Sequence, residues 1–263
     1  MQDIFNEVFP GIEIGVAAAI CVVAILIVIM TIVSFIVSIV LSIAYIRYNH
    51  KKNSLEMTGQ EIARKILDEN GLTQIKVSAC GSLLFGNSYS HYFKKVRLRR
   101  FTYKKSSISS MVMATQKSAL AIMDKENDPD MKKRNRLIPI VTFGPFAFIP
   151  LVIVGALLDV CVLKTNGTCT MICMILGVIF YLYSFLLSII ILKTEKKAQV
   201  RALDVMKQES IANDQEIIMA QKLFRLYNIE YINNMILALL ELIYYILRIV
   251  LIVMDSKNAV SKS

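Results

Sequence analysis

Hydrophobic positions in this chain fall into a few long unbroken runs, separated by polar stretches of shorter period. From Ile14 to Ile46 no side chain is charged. A membrane helix needs ~20 apolar residues, so this run is long enough to cross a bilayer with tilt or overhang. It is too long for the core of a signal peptide, and no basic stretch precedes it. Three more runs follow: Leu137 to Leu163, Thr168 to Leu192 and Met235 to Met254. The first of these holds Pro139, Pro145 and Pro150 with Gly144, which predicts a kinked or irregular first half, because each proline frees a carbonyl. Only Lys164-Thr165-Asn166-Gly167 separates it from the next run, a turn signal that closes a helical hairpin. The last run carries Glu241 and Arg248, two helical turns apart on one face, which predicts that they look into the bundle. The pattern therefore predicts an α-helical integral membrane protein with four transmembrane helices and a small α+β segment.

The polar stretches have their own periods. Thr58-Gly59-Gln60-Glu61 is a capping-box pattern, Ile62, Ile66 and Leu67 make an apolar stripe, and Gly71 is placed to end a helix over 57–71. Ile75-Lys76-Val77 and Val96-Arg97-Leu98 are short β-prone runs with Gly, Asn and Ser between them, which predicts a small hairpin. Ile108, Met111, Val112, Ala119 and Ile122 fall at helical spacings from Ser107 to about Met123, and Asn127-Asp128-Pro129-Asp130 ends that helix. A further long helical stretch lies between residues 194 and 234, with Ala198, Ala202, Leu203 and Met206 on one side.

Composition sharpens this picture. The 263 residues are 56% hydrophobic with a mean hydropathy of +0.56, above the about 45–50% of soluble domains. Disorder, a disulfide scaffold and a plain cytosolic enzyme are set aside. Charge orients the spans. The N-terminal tail holds Asp3, Glu7 and Glu13 and no base, whereas Arg47 to Arg136 holds nineteen Lys/Arg and eight Asp/Glu, and residues 193–234 hold seven bases and six acids. Positive-inside logic puts both large segments in the cytoplasm and both termini outside. The resulting order is an extracytoplasmic tail (1–13), a span (14–46), a cytoplasmic segment (47–136), a transmembrane hairpin (137–192), a second cytoplasmic segment (193–234), a fourth span (235–254) and a tail (255–263). Lys94, Lys95, Arg97, Arg99, Arg100, Lys104 and Lys105 lie among Tyr89, Tyr92, Phe93, Phe101 and Tyr103, a mixture that elsewhere suggests nucleic acid. Beside a membrane such bases set topology and attract anionic headgroups, so the expected partner is membrane lipid and not nucleic acid.

The run Met57-Thr58-Gly59-Gln60-Glu61-Ile62-Ala63-Arg64-Lys65-Ile66-Leu67-Asp68-Glu69-Asn70-Gly71-Leu72 resembles the opening helix of the neutral zinc metallopeptidase family of bacterial membranes. The resemblance continues through Lys95-Val96-Arg97-Leu98, Ser107-Ile108 and Arg134 to Gly144, and returns over 195–203 and 220–250, about half the chain. In that family the helix opening at Ser107-Ile108 carries His-Glu-x-x-His, and a later Glu supplies a third ligand. Two His at i and i+4 bind zinc from one helical face, and the Glu takes a proton from metal-bound water. Here those positions are Gln116-Lys117-Ser118-Ala119-Leu120: Gln116 and Leu120 stand for the two His and Lys117 for the base. Only Glu195, in Thr194-Glu195-Lys196-Lys197-Ala198, keeps the third-ligand residue.

Leu cannot ligate a metal, a Gln carbonyl is a poor zinc ligand, and a Lys ammonium repels a dication. The two histidines, His50 and His91, fall on neither position. The expectation is a catalytically inactive, pseudopeptidase-like membrane protein without a zinc cofactor, acting as a binding or assembly subunit on a membrane-protein partner or on itself. The alternatives are a functional zinc metallopeptidase with an unrecognised site, and a transporter or channel subunit in which Glu241 and Arg248 line a water-filled cavity. If the fold survives, Lys117 and Glu195 form a pair in the vacated site; otherwise Lys117 snorkels to water. Cys161, Cys169 and Cys173 stand near the outer ends of the hairpin helices, as small apolar residues or in a disulfide. Asp159, the one acid between Leu137 and Leu163, is expected at the outer interface beside Lys164.

Overall fold

The computed structural model describes residues 12–81, 86–162 and 167–262, with the side chains of 12–14, 139–149, 162 and 255–262 outside the described set. Asp3, Glu7 and the Lys164–Asn166 turn also lie outside it. In chain order the elements are α1 (Ile12–Asn49), α2 (Gly59–Glu69), β1 (Lys76–Cys80), β2 (Ser88–Ser90), β3 (Lys95–Arg99), α3 (Arg100–Lys104), α4 (Ile108–Lys125), α5 (Pro129–Leu157), a π-helical turn (Leu158–Val162), α6 (Thr168–Gln208) and α7 (Asp214–Lys262). Among the described residues, three helical stretches are long and apolar enough to cross a membrane: Gly15–Asn49, Thr168–Gln208 and Asp214–Met254. Of the second run expected to span, the described side chains provide a shorter apolar stretch, Pro150–Cys161. The backbone there is helical without interruption from Pro129 to Leu157, and the irregularity falls at its C-terminal end, in the π-helical turn. A missing proline N–H removes one ladder bond but need not end a helix whose other bonds persist.

The chain divides into two compact units: Phe35–Ile138 with Ile189–Ile232, and the described residues up to Ser34 with Pro139–Ser188 and the chain from Asn233 onward. In the second of these, large apolar side chains such as Ile25, Ile153, Ile179 and Ile246 are exposed, the surface expected against lipid tails. Polar contacts pin its helices. Asp159 is buried and accepts from the backbone N–H of Cys169 (2.9 Å) and Thr170 (2.7 Å) and from the Thr170 hydroxyl (2.6 Å). It therefore caps the orphan N–H groups at the start of α6; Lys164, its expected neighbour, lies outside the described residues. A Cβ on Gly155 would lie 2.8 Å from Thr170 Cα, so glycine is what lets α5 approach α6 there. The Asn233 amide donates to Ser34. Among the described residues no disulfide links any of the five cysteines.

The unit formed by Phe35–Ile138 and Ile189–Ile232 holds the buried core. Helix α2 opens with the capping box: Thr58 Oγ1 accepts from Glu61 N–H (3.3 Å), and Glu61 Oε2 accepts from Thr58 N–H (2.7 Å). Its stripe Ile62, Ala63, Ile66 and Leu67 is fully buried against α4, and Gly71 follows at φ +63°. Helix α4 is buried on nearly every side, as a central core helix must be. The sheet corrects the expected hairpin. Strand order is β1-β3-β2, with β1 parallel to β3 and β2 antiparallel to it. The hairpin is β2–β3, turning through His91–Lys94. Ser88-Tyr89-Ser90 has one apolar residue and so no alternation to reveal it. The expected helix over 194–234 is two helices, because the chain breaks at Glu209–Asn213 between α6 and α7.

Gly59 meets the backbone of Thr102: a Cβ there would sit 2.1 Å from the Thr102 carbonyl oxygen. Backbone cannot rotate aside, so a Gly59→Ala substitution is expected to push α2 away from α3. Overpacking of this kind costs about 1–3 kcal/mol, measurable as a lower thermal midpoint in detergent. A second prediction concerns Glu209, whose Oε1 accepts from Asn70 Nδ2 (2.8 Å) and whose Oε2 is buried without a partner among the described residues. Burial, with Glu69 alongside, pushes its carboxyl up to about 7. A raised carboxyl favours the fold while protonated, so this contribution is complete below the ordinary Glu range and is lost as pH rises through about 7. Glu209→Gln should flatten the fall in thermal midpoint between the ordinary Glu value of 4.5 and about pH 7, where the folded and unfolded states bind different numbers of protons; an unchanged slope there would exclude Glu209 as its source.

Candidate functional site

Three helices converge on Glu195. It lies in α6 just past the apolar run, within an inward stripe of Ile191, Thr194, Ala198, Gln199 and Ala202, all buried. From α4, the buried Gln116 donates through Nε2 to Glu195 Oε2 (3.1 Å), and Lys117 donates through Nζ to the same oxygen (3.1 Å). From α5, Arg134 donates to Oε1 through Nε (3.1 Å) and Nη2 (2.7 Å), a two-pronged guanidinium contact. The side chains of Lys117, Arg134 and Glu195 are only 11%, 5% and 18% exposed. Two cations thus face one carboxylate in a nearly dry site. Arg134 Nη1 and the Ser118 hydroxyl are buried without a partner among the described residues.

Local chemistry explains how the helices come together here. Ser107 caps α4, its hydroxyl accepting from Ser110 N–H (3.2 Å). Asp128 Oδ1 accepts from the N–H of Asp130 (2.9 Å) and Met131 (3.2 Å), with Pro129 opening α5, so Asn127-Asp128-Pro129 both ends one helix and starts the next. Lys197 also pairs with Asp128, and this contact with the two N–H donors outweighs burial to hold that carboxyl below its ordinary range. Lys193 reaches Asp130 (3.4 Å) and Arg201 reaches Glu126 (2.6 Å), so successive turns of α6 grip the turn into α5. These outer pairs are largely solvated and contribute little individually; they register Arg134 against Glu195.

Beside this cluster, Asp124 at the end of α4 accepts from the Tyr89 hydroxyl (2.7 Å) and from Asn135 Nδ2 (2.9 Å), and lies 2.5 Å from His91 Nδ1. Burial and the Asp124 contact push the Tyr89 phenol well above its usual range. His50 is exposed at the end of α1. Of the other sequence candidates, Leu120 is fully buried one turn beyond Gln116, Glu241 is half-buried and accepts from the Tyr181 hydroxyl (2.9 Å), and Arg248 is exposed.

The donor set around Glu195 does not fit a zinc ion. Both carboxylate oxygens are engaged by cationic or amide donors, and the Lys117 ammonium stands where a dication would have to approach Oε2. Among the described residues, no three His, Cys, Asp or Glu side chains converge as metal ligands. Arg134 was legible in the sequence only as a topogenic base. The signal was its spacing of three from Met131: both are buried, while Lys132 and Lys133 between them are exposed.

A membrane-embedded helical scaffold that brings a central buried helix, α4, against a carboxylate on a long apolar helix defines a class that sequence comparison identifies. Residues 23–250 match the family described as "Putative neutral zinc metallopeptidase", and the chain belongs to that family. It is similar to the "Putative membrane protease YugP" of Bacillus subtilis (strain 168), 26% identical over 201 residues that cover 76% of this chain and 84% of the relative. No solved structure matches the chain.

Proposed function

We propose that this chain is a non-catalytic member of its family, a pseudopeptidase in which an ion cluster stands in place of the metal, and that it works as a binding or assembly subunit in the membrane. The observation that carries this reading is the saturation of Glu195, the carboxylate matched to the family's third ligand, by Lys117, Gln116 and Arg134. A peptidase of this kind needs a Lewis-acidic ion with an open position and a carboxylate base; Lys117 is an acid in place of that base, and Gln116 and Leu120 replace the imidazoles. What the scaffold retains is a rigid, buried meeting of three helices, suited to presenting a surface to a membrane protein or to another copy.

The decisive measurement is metal per mole of chain, by elemental mass spectrometry, in protein purified without added zinc and without a polyhistidine tag. We expect metal well below one per chain, together with a stoichiometric membrane partner or a defined self-assembly in mild detergent. Stoichiometric zinc would overturn the reading and favour a working hydrolase, the activity that the name of the Bacillus relative carries.

The same proposal includes topology. The basic excess of residues 47–136 supports placing this segment and residues 193–234 in the cytoplasm, with both termini outside. In a cysteine-free background, single cysteines at Ser54 and Ser210 should resist a membrane-impermeant thiol reagent in intact cells and react after lysis. Labelling of intact cells at either would reverse the orientation.

A further inference from the structure

Helix α3 shows a large apolar side chain to solvent where none is expected. Phe101 is 69% exposed, while Thr102 next to it is fully buried. Arg100 and Lys104 are exposed and Lys105 is half-buried, its Nζ 5.7 Å from the Phe101 ring centroid. None of the three bases is ion-paired among the described residues.

The depth of this turn is set by α1. The charge-free run of α1 ends at Ile46, and Arg47 is the first charge after it. Tyr45, one residue before that end, has its hydroxyl 3.3 Å from Thr102 Oγ1. The chain on the far side of α3 is tied to the same end of α1: Asn53 N–H donates to the Ser106 carbonyl (3.1 Å) and Ile108 N–H to the Lys51 carbonyl (2.9 Å). Thr102 is therefore held at the level where the apolar span gives way to charge, the level of lipid headgroups in a bilayer crossed by α1. An exposed aromatic ring flanked by unpaired cations at that level matches the headgroup boundary, where rings sit at the acyl edge and bases meet phosphate.

We propose that Phe101, with Arg100, Lys104 and Lys105, forms an interfacial binding site for anionic phospholipid. Phe101 enters the boundary between headgroups and acyl chains, and the three bases take the lipid phosphates. The site rests on membrane placement alone and is independent of whether the metal site is lost. It is also separate from Phe93, which is equally exposed (71%) but sits in the β2–β3 turn at the opposite end of β3 from α3.

The chain contains no Trp, so Phe101→Trp and Phe93→Trp each create a single fluorescent reporter in the full-length protein. Both variants are reconstituted into nanodiscs of phosphatidylcholine, with and without phosphatidylglycerol, and with lipids brominated on the acyl chain. The expected result is blue-shifted emission for Phe101→Trp, quenched by brominated lipid, with Phe93→Trp emitting as in water and unquenched. Phosphatidylglycerol retained by the purified protein, counted by mass spectrometry, should fall in the Arg100→Gln/Lys104→Gln/Lys105→Gln variant by about fivefold for each base removed. Unquenched, water-like emission from Phe101→Trp would overturn the proposal and leave Phe101 as a protein-docking residue. Equal quenching of the two reporters, or undiminished phosphatidylglycerol in a charge-neutralised variant with unchanged thermal unfolding, would overturn it as well.

Discussion

Replacing Glu195 with Gln should lower the stability of this protein by about 3–5 kcal/mol, the cost of leaving buried charge uncompensated. Lys117 and Arg134 are 11% and 5% exposed, and both direct their contacts to this one carboxylate. Gln keeps the shape of Glu but offers one acceptor oxygen and an NH2 group that faces one of the cations. Thermal unfolding in detergent measures the loss. The second arm decides its origin. Lys117→Met in the Glu195→Gln background removes one of the stranded cations and should recover part of the loss, with a coupling of about 0.5–3 kcal/mol between sites in contact. If Glu195→Gln unfolds like the parent, or Lys117→Met neither destabilises alone nor rescues, the cluster is not an integral part of the fold.

The triple variant Gln116→His/Lys117→Glu/Leu120→His should acquire zinc, at about one ion per chain as in other three-ligand sites. Its logic follows from the observed contacts. Removing Lys117 and Gln116 frees Glu195 Oε2, while Arg134 still holds Oε1 and so fixes the carboxylate. Positions 116 and 120 are one turn apart in α4, and both are buried on the core side. Elemental mass spectrometry after dialysis reads the result against the parent. A folded triple variant with no more zinc than the parent would mean that these positions do not correspond to the family's ligand positions, and the proposed loss of function would lose its basis. Leu120 is the position of greatest strain, because a histidine there exchanges an apolar contact for a buried ring nitrogen that needs the metal to satisfy it.

Several elements could be read directly from the chain because their determinants are local. The Thr58–Glu61 capping box, the Ile62–Ile66–Leu67 stripe and Gly71 act within a few residues, and α2 forms where they say. The same holds for α4 from its Ser107 cap and for the long apolar helices, whose length and composition suffice. The sheet was misread because strand pairing is not local: β3 is central only when β1 and β2 occupy its two edges, and a three-residue strand carries too little pattern to claim one of them. The capping role of Asp159 was out of reach for the same kind of reason, since the N–H groups it accepts from belong to the next helix.

The candidate site divides along that line. Sequence alone determined that the chain holds no His-Glu-x-x-His motif, because its two histidines, His50 and His91, lie far apart. It also determined that the chain belongs in a membrane, because runs such as Ile14 to Ile46 have no other stable solvent. Tertiary structure decided what surrounds Glu195. Lys117 and Glu195 lie 78 residues apart in sequence, and Arg134 joins them only because α5 turns one base of a four-base cluster inward while its neighbours face water. A charge pattern along the chain records how many cations there are; whether one of them is solvated or buried against a carboxylate depends on helix packing, since only packing removes the water that would otherwise screen it.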